Sequence, residues 1–245
     1  VGGMKKLTIE TAEELSSKMR TKLRVGAYEP LNMKTTLRQL NILTIYRPLS
    51  EDLWGLSLKS NDDKRFMLIN SNATRGSQHF TIAHELYHLY FDSNPHPHFC
   101  TQNQYKDSAE RSANMFASAL LMPKEGLTYN ISSEDLINKK ISIDTALKLE
   151  QLYGVSHSTL VVRLKELRLI SSNNADELMN VSIRREAIQR GLDLSLYYKG
   201  NEGLILGDYG IKAKKLFDEE KISEGHYNEL LKKIRYGESE DCVGC

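Results

Sequence analysis

The run His84-Glu85-Leu86-Tyr87-His88 constrains this chain more than any other. Four residues on an α-helix advance about 400°, so the two histidines stand one turn apart on a single face. Their ring nitrogens can reach one cation at the ~2.0–2.1 Å that a zinc ion requires. Glu85 lies about 60–100° round the helix from both, close to the ion without having to ligate it. There it can take a proton from a water that the ion has made acidic. Phe80, Ile82, Ala83, Leu86 and Leu89 surround the motif, so the helix is expected to be buried on most sides. Two histidines and a carboxylate in apolar surroundings need a partner, and a metal ion satisfies all three.

A catalytic zinc takes three protein ligands and keeps one open position. Glu110, on the next predicted helix and 22 residues after His88, is the leading candidate for the third. That helix, expected over 107–121 with Asp107 as cap, carries Ala109, Ala113 and Ala117, small enough to let two helices approach closely. Asn114 lies one turn after Glu110 on the same face, where it can support a ligand. His96 and His98, in a loop stiffened by Pro95 and Pro97, are rivals for the third position or accessories to the chemistry. Cys100 is either a soft ligand or a small buried apolar residue. Cys242-x-x-Cys245 has no second thiol pair and does not make a structural zinc site. His98 and Tyr105 are candidates for stabilising a developing oxyanion.

The rest of the chain reads as an ordinary globular protein. Charge is nearly balanced at +1, so no global basic field draws it to nucleic acid or anionic lipid. No apolar run approaches the ~18 residues of a membrane span, and the first residues lack the apolar stretch of a signal peptide. Three cysteines cannot staple a fold of this size, so a reduced, cytoplasmic protein is expected. Helical spacing predicts an amphipathic helix over 7–23 with Thr11 as its cap, and a short helix over 33–40. Alternation predicts strands at 43–46, 54–59 and 65–70, the last two flanking a polar turn. The active helix is expected over 78–91 and a loop over 92–105. Helices follow over 143–153 and 158–167, joined at Gly154, with Ser156 able to cap the second. Ser171-Ser172-Asn173-Asn174 reads as a linker, and two further helices are expected over 209–220 and 224–234.

With these residues aligned, the chain resembles the ImmA/IrrE family of metallo-endopeptidases. The run Gln78-His79-Phe80-Thr81-Ile82-Ala83-His84-Glu85-Leu86-Tyr87-His88 is similar to its R-F-T-x-A-H-E-x-x-H block. Glu110-x-x-Ala113-Asn114-x-Phe116-Ala117-x-x-Leu120-Leu121-Met122-Pro123 is similar to its E-x-x-A-N-x-F-A-x-x-L-L-M-P block. The likeness runs from about Leu7 to Ile170. It implies an α+β protein with a zincin-like metalloprotease core over residues 4–130, a small sheet with the active-site helices. A helix-turn-helix unit over 131–170 and a mostly helical region over 171–245 would follow. It also implies zinc on His84, His88 and Glu110, with manganese or iron able to replace it, and Glu85 as general base. The implied substrate is a helix-turn-helix repressor of the XRE type, whose cleavage induces a prophage, mobile element or stress regulon. Tyr87 departs from the small residue common in the family, so the helix is expected to pack something bulkier there, and His79 replaces a basic or polar residue, which is expected to alter the cleft rim.

The helix pair ending near Ile170 also has the pattern of a DNA reader. From Lys139 to Arg168 it carries six Lys or Arg against three acids, a modest patch for phosphate contacts. The alternative to a protease is therefore a DNA- or protein-binding regulator whose metal site is structural or vestigial. No membrane partner is expected, and nothing in the sequence fixes an oligomeric state.

Overall fold

The computed structural model describes residues 8–60, 62–92, 97–101 and 108–235. Helix α1 (Ile9–Leu23) is capped by Thr8, whose hydroxyl accepts the Thr11 amide, so the cap lies one turn before the expected Thr11. Helix α2 (Met33–Gln39) leads into a five-stranded sheet built from β1 (Ile42–Arg47), β2 (Leu53–Lys59), β3 (Arg65–Asn70), β4 (His98–Thr101) and β5 (Ile205–Leu206). The strand order is β4-β2-β3-β1-β5. β1 and β3 run parallel, and the other pairings are antiparallel. Ile42, Thr44 and Tyr46 of β1 and Met67 and Ile69 of β3 point to one buried face, as a period of two requires.

Helix α3 (Arg75–Tyr90) lies against that face and carries the H-E-x-x-H residues. Gly55 of β2 permits the close approach, because a Cβ there would stand 2.8 Å from the Thr81 methyl of α3. Helix α4 (Ser108–Leu121) packs beside α3, and its Ala113, Phe116, Ala117 and Leu120 are fully buried. Helix α1 covers α4, and its buried Arg20 donates to the Leu120 carbonyl at 2.7 Å, satisfying the end of α4. Tyr87 fills the space near Phe91 and Phe116, its ring centroid 5.7 Å from that of Phe116.

The predicted loop over 92–105 holds β4, a strand created by pairing with β2 rather than by its own pattern. Between Pro123 and Ile143 the chain forms two short helices, α5 (Lys124–Asn130) and α6 (Ser133–Asn138), that sequence spacing did not reveal. Helices α7 (Ile143–Tyr153) and α8 (His157–Glu166) follow as expected, with Gly154 left-handed at φ 63° and Ser156 capping α8. Ser171 is no linker residue: it caps α9 (Ser172–Met179), whose buried Asn174 bonds both backbone groups of Ile141. Next come α10 (Ile183–Gln189), α11 (Tyr209–Asp218) and α12 (Glu224–Arg235). One apolar cluster runs from Met19 through Phe116 and Leu164 to Leu206, joining α1, α2, β1, β3, α3, α4 and the α7–α9 helices. Among the described residues no helix is long and apolar enough to cross a membrane.

Candidate metal centre

The two helices bring together the side chains that the sequence picked out. His84 and His88 project from one face of α3, with Nε2 atoms 3.3 Å apart. Glu110 of α4 reaches between them, one carboxylate oxygen 3.3 Å from His84 Nε2 and the other 3.4 Å from His88 Nε2. All three are buried. Tetrahedral arms of ~2.0–2.1 Å set ligand atoms ~3.3–3.4 Å apart, so these separations match the face of such a site.

The far side of each imidazole is also occupied. His84 Nδ1 donates to Asn114 Oδ1 at 2.9 Å, and His88 Nδ1 donates to Asp92 Oδ2 at 3.1 Å. An imidazole that donates from Nδ1 presents a lone pair at Nε2. Two such lone pairs facing each other at 3.3 Å, beside a carboxylate, fit a cation between them. The donor set of two histidines and one glutamate suits zinc, while manganese and iron are accommodated by the same atoms.

His98 completes the cluster from β4, and its ligand atom lies within 4.8 Å of those of His84, His88 and Glu110. Its Nδ1 is 3.1 Å from Glu85 Oε2 and its Nε2 is 2.6 Å from Glu110 Oε1. Its ring stacks on that of His88 at 3.5 Å. Cys100, two residues along the same strand, turns its buried thiol toward His84 and Glu85. Glu85 itself is fully buried.

Burial and mutual bonding set the charges. Burial opposes charge on His84, yet hydrogen bonds with Cys100 and Glu110 outweigh it and hold its pKa well above the usual value. Burial and the neighbouring His84 and His98 push His88 down. Burial alone would raise Glu110, but its bonds to His84 and His98 hold the carboxyl far below the usual range. Burial likewise opposes charge on His98, and the bonds to Glu110 and Glu85 overcome it, pushing it up to about 9. Burial pushes the Cys100 thiol up. The pocket favours positive charge, for which protons and a metal ion compete.

Sequence reasoning singled out Asn114 and His98 but missed Asp92, whose role depends on where α3 ends. His79 Nδ1 donates to the Gly154 carbonyl at 2.8 Å, tying α3 to the α7–α8 turn. His96, Tyr105, Asp107, Cys242 and Cys245 lie outside the described residues.

A mixed α+β chain with such a His/Glu cluster, and a carboxylate next to the first histidine, is a protein of the metallopeptidase type. It belongs to the M78 peptidase family, whose IrrE N-terminal-like domain matches residues 37–165, just over half of the chain. No curated protein matches the sequence.

Proposed function

We propose that the protein is a cytoplasmic zinc-dependent endopeptidase that cuts a helix-turn-helix repressor of the XRE type. In this reading it derepresses a prophage, mobile element or stress regulon. A zincin-like core over 4–130 does the chemistry, and the helix-turn-helix unit over 131–170 and the region over 171–245 contribute packing or contact with the target. The observation that carries the reading is the triangle of His84, His88 and Glu110, with donor atoms 3.3–3.4 Å apart and the buried Glu85 beside it. His84, His88 and Glu110 hold the ion. Bound there, zinc supplies Lewis acidity that makes water acidic and polarises the scissile carbonyl. Glu85 accepts the water's proton and returns it to the leaving amine. Asn114 and Asp92 keep the two imidazoles in the tautomer that ligation needs.

The second reading, a DNA- or protein-binding regulator with a structural metal, draws on His98 as a fourth nearby donor. Against it, the 2.6 Å contact of His98 with Glu110 is a hydrogen-bond distance, too short for two ligands of one tetrahedral ion. DNA contact has less to draw on than the sequence offered. Arg163, counted in the basic patch, is buried and spends its charge on Glu13 and the Met122 carbonyl.

The deciding experiment incubates the purified protein with the XRE-type repressor encoded beside it, with zinc or manganese, alongside Glu85→Gln. A single cut by wild type, slowed ~10²–10⁴-fold in the variant at unchanged metal content, is the expected result. Full proteolysis by Glu85→Gln would refute the assigned base. Loss of metal from the variant would instead make Glu85 a ligand.

A further inference from the structure

The imidazole of His98 is the part of the cluster that neither helix supplies. It arrives on β4, at the edge of the sheet, where His98 pairs with Ser57 of β2. Its ring lies nearly flat on His88, 3.5 Å between centroids and 14° between planes. One nitrogen faces both oxygens of Glu85, at 3.1 and 3.3 Å, and the other bonds Glu110 at 2.6 Å. Among the described residues, His98 is the side chain hydrogen-bonded to the Glu85 carboxylate. Its own side chain is 17% exposed, against 2% for His84, 4% for His88 and 8% for Glu110, so it stands on the solvent side.

A carboxylate with no hydrogen-bond partner turns freely about its last torsion. Glu110 must aim one oxygen at the ion, and Glu85 must aim one at water without joining the ligands. A ring anchored by a strand register and by stacking is a stiff device for holding both. The short contact with Glu110 marks His98 as a donor to the ligand carboxylate, not as a co-ligand.

We propose that His98 is the positioning residue of this centre, its two ring nitrogens fixing Glu110 for the metal and Glu85 for proton transfer. The proposal rests on the metallopeptidase reading above. It separates two contacts that different variants retain. A glutamine amide nitrogen reaches the region of Nε2 and preserves the bond to Glu110. An asparagine amide reaches only the region of Nδ1, on the Glu85 side.

The test uses the full chain with His98→Ala, His98→Gln and His98→Asn, with circular dichroism to confirm the fold. Zinc affinity is measured by competition with a chromophoric chelator, and the visible spectrum is recorded with cobalt(II) in place of zinc. His98→Ala and His98→Asn are expected to bind zinc ~10–100-fold more weakly than wild type. His98→Gln recovers most of that loss, with a cobalt spectrum like wild type. If His98→Ala does not fold, the Gln and Asn pair carries the comparison. Wild-type affinity in His98→Ala or His98→Asn, or equal weakness in Gln and Asn, would overturn the proposal. So would a His98→Gln cobalt spectrum showing a lost nitrogen ligand. If His84→Ala abolishes zinc binding while the His98 variants bind normally, positioning fails and the metal site stands. Wild type that takes up no zinc would sink both.

Discussion

At the residue scale, the two acceptors behind the histidines are as informative as the histidines. Asn114 Oδ1 and Asp92 Oδ2 each take an Nδ1 proton, and thereby leave Nε2 free to ligate. Replacing either by alanine is expected to weaken zinc binding ~10–100-fold while leaving the helices intact. Chelator competition with circular dichroism as control measures this; unchanged affinity in both variants would mean that the tautomers are set by something else. Much of the centre was legible beforehand. The one-turn spacing of His84 and His88 follows from helix geometry alone, and Glu110 with Asn114 follows from the same geometry on the next helix. Asp92 was hidden because it lies beyond the C-terminus of α3, where the chain path is not periodic. The contacts of His98 were hidden because they depend on the register of β4 against β2, a relation between segments some forty residues apart.

At the element scale, the α7–α8 pair is pinned from inside by a buried ion pair. His157 Nδ1 lies 2.5 Å from Glu150 Oε1, and its Nε2 donates to the Leu178 carbonyl at 2.8 Å, bringing in α9. Burial works against charge on His157, but the bond to Glu150 outweighs it and raises its pKa above the usual value. A raised histidine contributes stability that is fully present below its unfolded pKa of ~6.5 and is lost as pH rises through the folded value. Wild type is therefore expected to exceed His157→Gln in urea stability by more at pH 6 than at pH 9. A margin that stays flat or widens with pH would refute the pairing. His157→Ala, which leaves Glu150 buried without its partner, is expected to cost ~3–5 kcal/mol. The long periodic elements, α1, α3, α4, α7 and α8, were readable because one or both faces are apolar at helical spacing. Helices α5, α6, α9 and α10 have six to eight residues each and are stabilised by packing more than by propensity. Ser171 to Asn174 misled because the residues that cap helices also fill linkers.

At the scale of the whole molecule, the helix bearing the two histidines is fastened from four sides, and one of them lies far along the chain. The sheet supports α3 through Gly55, and α4 packs beside it. The α7–α8 turn meets Gly76 so closely that a Cβ there would be 2.8 Å from the Ser156 nitrogen. The fourth fastening is the stretch from Tyr198 to Leu206. There Tyr198 accepts the Arg75 amide at 3.0 Å, and β5 closes the sheet on β1. At its centre is Gln78, fully buried, which donates to the carbonyls of Ala73 and Gly200 at 2.9 Å and accepts from Asn201 at 2.8 Å. No periodicity could foretell that bridge, since it joins residues more than 120 positions apart. Gln78→Leu keeps roughly the same volume but strands two carbonyls and an amide, at ~1–3 kcal/mol for each group that water cannot reach. Gln78 precedes His84 by less than two turns of α3, so the loss should travel to the metal centre. The expected result is cleavage by added trypsin at Lys199 under conditions where wild type is resistant, together with weaker zinc binding. Saturating zinc should restore resistance in part, because an ion that binds the folded centre stabilises whatever the centre depends on. Cleavage at Lys199 without any change in zinc affinity would show that the C-terminal stretch is merely attached to α3 and does not hold it.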